Sequence, residues 1–190
     1  MKKTLNLGVI GIDHGHIFDM LDEMIKEGCS CNCFWTEGDP LTLQEFNKKY
    51  PNLKRKENKE EILNDSSIDM ILISSIPVDR ACHSIDALKA GKDVMVDKPG
   101  CTTLDQLNNL KKTVKDTGKI WSVNFSERFH VAAVAKAEEL VNEGKIGKIK
   151  QTIGTAHIDK EIMKDLIGFI IVKVMEELLQ TLVPTKFINF

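Results

Sequence analysis

The residues best suited to chemistry fall into three short stretches. Gly11-Ile12-Asp13-His14-Gly15-His16 places a carboxylate and two imidazoles on a glycine turn. Glu37 follows one apolar run and Ser74-Ser75-Ile76-Pro77 ends a second. Asp97-Lys98-Pro99-Gly100 ends a third. Small polar or charged residues at the end of an apolar run mark the carboxyl end of a parallel strand, where a ligand crevice opens. A glycine turn that opens a helix offers backbone N–H groups and a positive dipole end to a phosphate. An acid at the end of the second strand accepts hydrogen bonds from ribose hydroxyls, and Glu37 stands about there. A solvated loop acid is the plain alternative.

The turn departs from the G-x-G-x-x-G pattern of dinucleotide sites. Gly11 fits the first position, Asp13 occupies the second and His16 the third, with Gly15 one residue early. A carboxylate facing a pyrophosphate repels it unless it turns away or is paired. Two readings of Asp13 therefore stay open, a residue of a phosphate loop or a cap accepting N–H bonds at the helix start. Asp13, His14 and His16 also share a turn on which a metal is conceivable, but a polar phosphate loop is preferred and no metal is expected. Cys29, Cys31 and Cys33 have strand spacing and should share one face, as buried thiols rather than as ligands. His83, alone on a helix, reads as structural.

The elements that must position these residues alternate. Strands are expected at Leu5–Ile10, Cys31–Trp35, Met70–Ile73, Val94–Val96 and Ile120–Phe125. Helices are expected at Phe18–Ile25, Leu41–Lys49, Glu60–Leu63, Val78–Ala90, Leu104–Thr117 and Val131–Asn142. Lys54–Lys59 reads as charged and exposed, and Ile149–His157 as a strand. Thr103 suits an N-cap, while Gly28, Gly91 and Gly118 suit helix ends. This alternation defines an α/β fold with a doubly wound parallel sheet of the Rossmann type, residues 1–126, followed by part of a second α/β domain, 127–190.

The chain has 190 residues, 42% hydrophobic and 28% charged, an ordinary globular balance. Its net charge of -2 argues against a nucleic-acid partner. No apolar signal core follows Met1-Lys2-Lys3-Thr4, and no membrane partner is expected. Five cysteines without a secretory signal suggest reduced thiols and a cytoplasmic location.

Taken together, GVIG near the start, the DP after the second strand, AGKDVMVDKP and NFSERF resemble the Gfo/Idh/MocA oxidoreductases, relatives of glucose–fructose oxidoreductase and inositol dehydrogenase. The resemblance covers roughly residues 5–157. It implies a Rossmann domain and a second open-sheet domain, NAD or NADP as cofactor, and a sugar, inositol or similar polyol as substrate. The family's E-K-P lysine matches Lys98, with Asp97 in place of Glu. The resemblance sets Lys98 near the nicotinamide and the substrate hydroxyl, where an ammonium stabilises alkoxide character or relays a proton. Gly8, Gly11, Asp13, His14 and His16 would line the phosphate end, and Glu37 the adenosine ribose, favouring NAD. Ser74, Ser75, Pro77 and Asp97 would lie along the crevice. The alternative function is a non-catalytic nucleotide-binding or interaction module.

The family's D-x-G-x-H histidine is absent from the 190 residues, so little turnover is expected of them. The tail from Asp159 reads instead as an apolar helix with Leu166, Ile170, Val174 and Leu178 on one face. That stripe, with the lone strand Ile149–His157, predicts self-association. One permissible back-translation of Asp165–Phe190, with codons chosen to fit, reads FDWFYYRKSNGGIVADIGSHQIYQF in another frame, in the family's order. A frameshifted tail and a genuine short paralogue both account for the ending. If the frame is shifted, the coding DNA should regain a long open frame through a single-base insertion or deletion near codons 158–165; its absence dismisses the shift.

Overall fold

The computed structural model describes residues 4–125 and 132–151. The chain divides into two units, Met1–Ser126 and Glu127–Phe190. In the first unit the elements alternate as β1 (Asn6–Ile10), α1 (His16–Lys26), β2 (Ser30–Trp35), α2 (Leu43–Lys49), β3 (Lys54–Arg55), α3 (Glu60–Leu63), β4 (Met70–Ile73), α4 (Arg80–Lys89), β5 (Asp93–Asp97), α5 (Leu104–Thr117) and β6 (Trp121–Asn124). In the second, α6 spans Ala132–Asn142.

All strand pairs are parallel, in the order β3-β2-β1-β4-β5-β6. A parallel sheet needs cover on both faces, and the apolar pattern supplies it. Leu7, Val9, Met70 and Leu72 pack with Ile17, Leu21 and Phe46 of α1 and α2. Ile10, Ile71, Ile73, Val94 and Val96 pack with residues of α3, α4 and α5, including Ile62, Ala81, Leu88 and Leu110. The side chains of β4 and β5 alternate between these two clusters, as the period of two requires. Chain order reverses between β1 and β4, and this switch point opens a crevice at the carboxyl ends of the strands.

The helix signals hold where the chemistry is local. Thr103 accepts a bond from the Gln106 N–H at 3.1 Å, and Gly118 closes α5 at φ 66°. Lys54–Arg55, exposed as expected, is also a short edge strand paired with Cys33–Phe34. Other expectations are corrected. Cys31 and Cys33 face opposite clusters, because the β1–β2 register shifts between Leu7 and Gly8 and leaves Asn32 as an extra residue. A bulge of that kind reverses the face of everything beyond it. Residues 149–151 carry no strand, and the rest of the expected strand and tail lies outside the described residues. Among the described residues, no helix is long and apolar enough to cross a membrane.

Phe46 anchors one cluster. It is fully buried, with ring centroids 4.9 Å from Tyr50 and 5.0 Å from Phe34. Phe46→Ala should cost about 3–5 kcal/mol in chemical denaturation, the usual cost of truncating a core aromatic.

Candidate functional site: a charged crevice at the sheet switch point

Gly11 is where β1 leaves the sheet. Its φ of 74° is left-handed, and a Cβ there would lie 2.5 Å from the Ser75 Cβ. The Gly11 N–H donates to the Trp35 carbonyl at 2.8 Å, and its carbonyl accepts from the Ser74 N–H at 3.2 Å. One glycine thus ties the ends of β2, β1 and β4 together, and only glycine allows it. Gly8 behaves differently. It lies inside β1, where a Cβ would sit 2.6 Å from the Ile62 Cγ2, so it makes room for α3 and does not line the crevice.

Helix α1 starts from Gly15, and no side chain caps it. The reading of Asp13 as a cap is therefore corrected. The turn partly occupies its own first N–H groups. His16 N–H faces the His14 Nδ1 at 3.4 Å, while the Ile17 and Phe18 N–H groups reach the carbonyls of His14 and Gly15 at 3.2 Å.

Asp13 lines a pocket of about 180 Å³ with Gly11, Trp35, Glu37, Ser75, Ile76, Asp79 and His83. Three of these side chains are carboxylates. Burial pushes the Asp13 carboxyl upward, and the nearby charges of Asp79 and Glu37 add to the shift. His83 is 9% exposed and meets Trp35 edge-on, with ring centroids 5.8 Å apart. Burial lowers its pKa, and the Lys59 charge adds to this, so the neutral imidazole is favoured. Its Nδ1 and the Ser75 Oγ are buried without a hydrogen-bond partner. The structural role expected of His83 is thus extended, because it lines the pocket with an unused polar atom.

The second half of the crevice centres on Asp97, which is fully buried at the end of β5. Its Oδ1 lies 2.8 Å from the His16 Nδ1 and accepts the Lys98 N–H at 2.8 Å. Its Oδ2 accepts the Arg80 Nη2–H at 2.9 Å and lies 3.3 Å from the His14 Nδ1. Burial alone would raise this carboxyl; the bonds from His14 and His16 and the Arg80 charge outweigh it and draw it down to about 2. Arg80 is 2% exposed. It also donates from Nε to the Ser75 carbonyl at 2.7 Å and from Nη1 to the Lys98 carbonyl. The Lys98-Pro99 peptide is cis. Ser74 joins the same network, its Oγ donating to the His14 carbonyl at 3.2 Å. Pro77 lies in the half-exposed loop between β4 and α4.

Apart from Gly8 and Pro77, the expected site residues fall into two groups. Gly11, Asp13, Glu37 and Ser75 meet in the acidic pocket; His14, His16, Ser74, Asp97 and Lys98 meet around the buried carboxylate. Asp79 and Arg80 escaped the sequence reading, in which His83 is structural only. An unused donor or acceptor at Ser75 and His83, beside a glycine that brings strand ends close, suits a hydroxyl-bearing ligand such as a ribose.

A six-stranded parallel sheet in this order, with a crevice at its switch point, defines a Rossmann-type dinucleotide-binding fold. The model of the family described as "Oxidoreductase family, NAD-binding Rossmann fold" (GFO_IDH_MocA) matches residues 6–125, and the chain belongs to that family. It is 32% identical over 113 residues to scyllo-inositol 2-dehydrogenase (NAD+) of Bacillus subtilis, covering 58% of this chain and 33% of that one. It is 24% identical to scyllo-inositol 2-dehydrogenase (NADP+) of the same organism, covering 77% and 40%. Among solved structures it resembles an oxidoreductase from Erwinia carotovora atroseptica, at TM-score 0.73 and 34% identity over 76% of this chain and 43% of that one. The chain spans about a third to two fifths of the length of these curated relatives.

Breaking the buried pair should be costly. Arg80→Met leaves the Asp97 carboxylate without its cation and should cost about 3–5 kcal/mol in urea unfolding. The double variant Arg80→Met/Asp97→Asn should lose less than the two single losses added together. Strict additivity would show that the pair does not couple.

Proposed function

We propose that this chain carries the cofactor-binding half of an NAD-dependent oxidoreductase acting on an inositol, sugar or related polyol. The acidic pocket carries the reading. Glu37 stands at the end of β2, on the adenosine side of a dinucleotide crevice, where a carboxylate accepts the two hydroxyls of a ribose. Asp13 and Asp79 surround the same space with Glu37. A ribose diol donates hydrogen bonds to such groups, whereas a 2′-phosphate would meet like charge on three sides.

Bound nicotinamide supplies the hydride acceptor for alcohol oxidation. The chain's own residues set the surroundings. Lys98 follows a carboxylate fixed from four directions, so its backbone is held at the end of β5. Its ammonium suits the stabilisation of a substrate oxygen as negative charge develops there. Gly11 supplies the close approach that the first glycine of the motif provides. Asp13 replaces the second glycine, and burial, with the charges of Asp79 and Glu37, moves its carboxyl upward.

The polyol class rests on the relatives named as inositol dehydrogenases. A cytoplasmic location follows from the reduced-thiol reading of the cysteines.

Calorimetric titration should show NAD binding more tightly than NADP. Glu37→Ser should narrow that preference by about tenfold, equivalent to about 1.4 kcal/mol. Tighter binding of NADP to the unaltered chain removes Glu37 from the ribose.

A further inference from the structure

We propose that His14, His16 and Asp97 form a binding site for a late first-row divalent cation of the Zn2+ class. The sequence places the two histidines on the turn after β1; only the fold brings Asp97, from the end of β5, against them. The two imidazole nitrogens and a carboxylate oxygen all lie within 4.8 Å of one another. Metal–imidazole bonds of about 2.0–2.1 Å and metal–carboxylate bonds of about 2.0–2.2 Å put ligand atoms of one ion roughly 3–4 Å apart. The cluster is within a small ring movement of that geometry. Two imidazoles with one carboxylate suit Zn2+, Co2+, Ni2+ or Fe2+ better than Mg2+ or Ca2+, which prefer all-oxygen shells.

The residues around the cluster support the same conclusion. The His14 Nδ1 has two long contacts that ask for opposite protonation. It would accept from the His16 N–H at 3.4 Å, yet donate to the Asp97 Oδ2 at 3.3 Å. Both contacts are longer than ordinary hydrogen bonds, so a small turn of the ring frees the nitrogen for a cation. The His14 side chain is 51% exposed, so an ion can enter from the crevice and keep a position open to it. A Cβ on Gly15, between the two ligands, would meet nothing within 4 Å, which leaves the turn room to adjust. Behind the carboxylate, Arg80 and the Lys98 N–H fix its orientation, as outer-shell groups of a metal site do. The Arg80 charge also sets a limit. It offsets part of the carboxylate's attraction, so the imidazoles must supply much of the affinity, and the site favours ions high in the Irving–Williams order.

The test titrates Co2+, then Zn2+ in competition, into untagged chain stripped of metal and free of NAD, so it does not depend on the dinucleotide reading. The expected result is saturation at one ion per chain, with a visible cobalt spectrum lacking the thiolate charge-transfer band that Cys29, Cys31 or Cys33 would produce. His14→Gln and His16→Gln should each weaken binding by more than the roughly 10–100-fold that loss of an outer-shell partner costs. His83→Gln should leave it unchanged. Circular dichroism melts confirm that each variant is folded, and the half-exposed His14 makes its variant the safest. No saturable binding, a thiolate band, or binding that survives His14→Gln in a folded chain each overturns the site.

Discussion

The crevice depends on one buried ion pair. Asp97 and Arg80 are both sealed from solvent, and an isolated charge in that setting is expensive. The structure meets the cost by satisfying each group several times over. Arg80 reaches the Ser75 carbonyl after β4, the Asp97 carboxylate at the end of β5 and the Lys98 carbonyl beyond it. Those contacts join the first residue of α4 to the ends of two neighbouring strands. The apolar clusters hold the helices on the sheet, but they are non-directional and cannot fix the strand ends. The ion pair can, because a planar guanidinium donates its hydrogen bonds only in set directions.

Much of the fold was legible because its signals are local. Met70–Ile73 reads as a central strand since four apolar residues in a row suit cover on both faces. Thr103 and Gly118 read as helix ends since each acts on backbone within a turn of itself. What escaped depends on distant partners. Nothing in the neighbours of Arg80, near the start of a helix, discloses the carboxylate 17 positions away. The bulge at Asn32 is equally silent, because it arises from the pairing of β1 with β2. Strict alternation then put Cys31 and Cys33 on one face when they lie on two. The three-residue cluster likewise needed the fold: Asp13 is the acid nearest His14 in sequence, yet Asp97 is the one that meets it.

The replaced glycines explain how the turn can differ from the G-x-G-x-x-G pattern without collapse. The third glycine of that pattern allows close packing of helix on strand. Here His16 occupies the position, and its ring finds room by turning toward β5, where the Asp97 carboxylate receives it. A side chain that would obstruct the motif has become part of a network across the crevice. The same substitution would be unfavourable in a chain with an apolar residue at the end of β5, since the imidazole would then be half-buried without a partner.

Charge is consequently divided along the crevice. Carboxylates of Asp13, Glu37 and Asp79 gather in one pocket, while the buried Arg80 guanidinium pairs with Asp97, beside which His14 and His16 stand. A ligand with hydroxyl donors at one end and anionic oxygen toward its middle fits that polarity in only one direction. For the proposed dinucleotide, this directs the adenosine ribose to the acidic pocket and the phosphates toward the imidazoles. The proposal leaves the nicotinamide end toward Lys98, in the order that the strand ends of a doubly wound sheet impose on a dinucleotide.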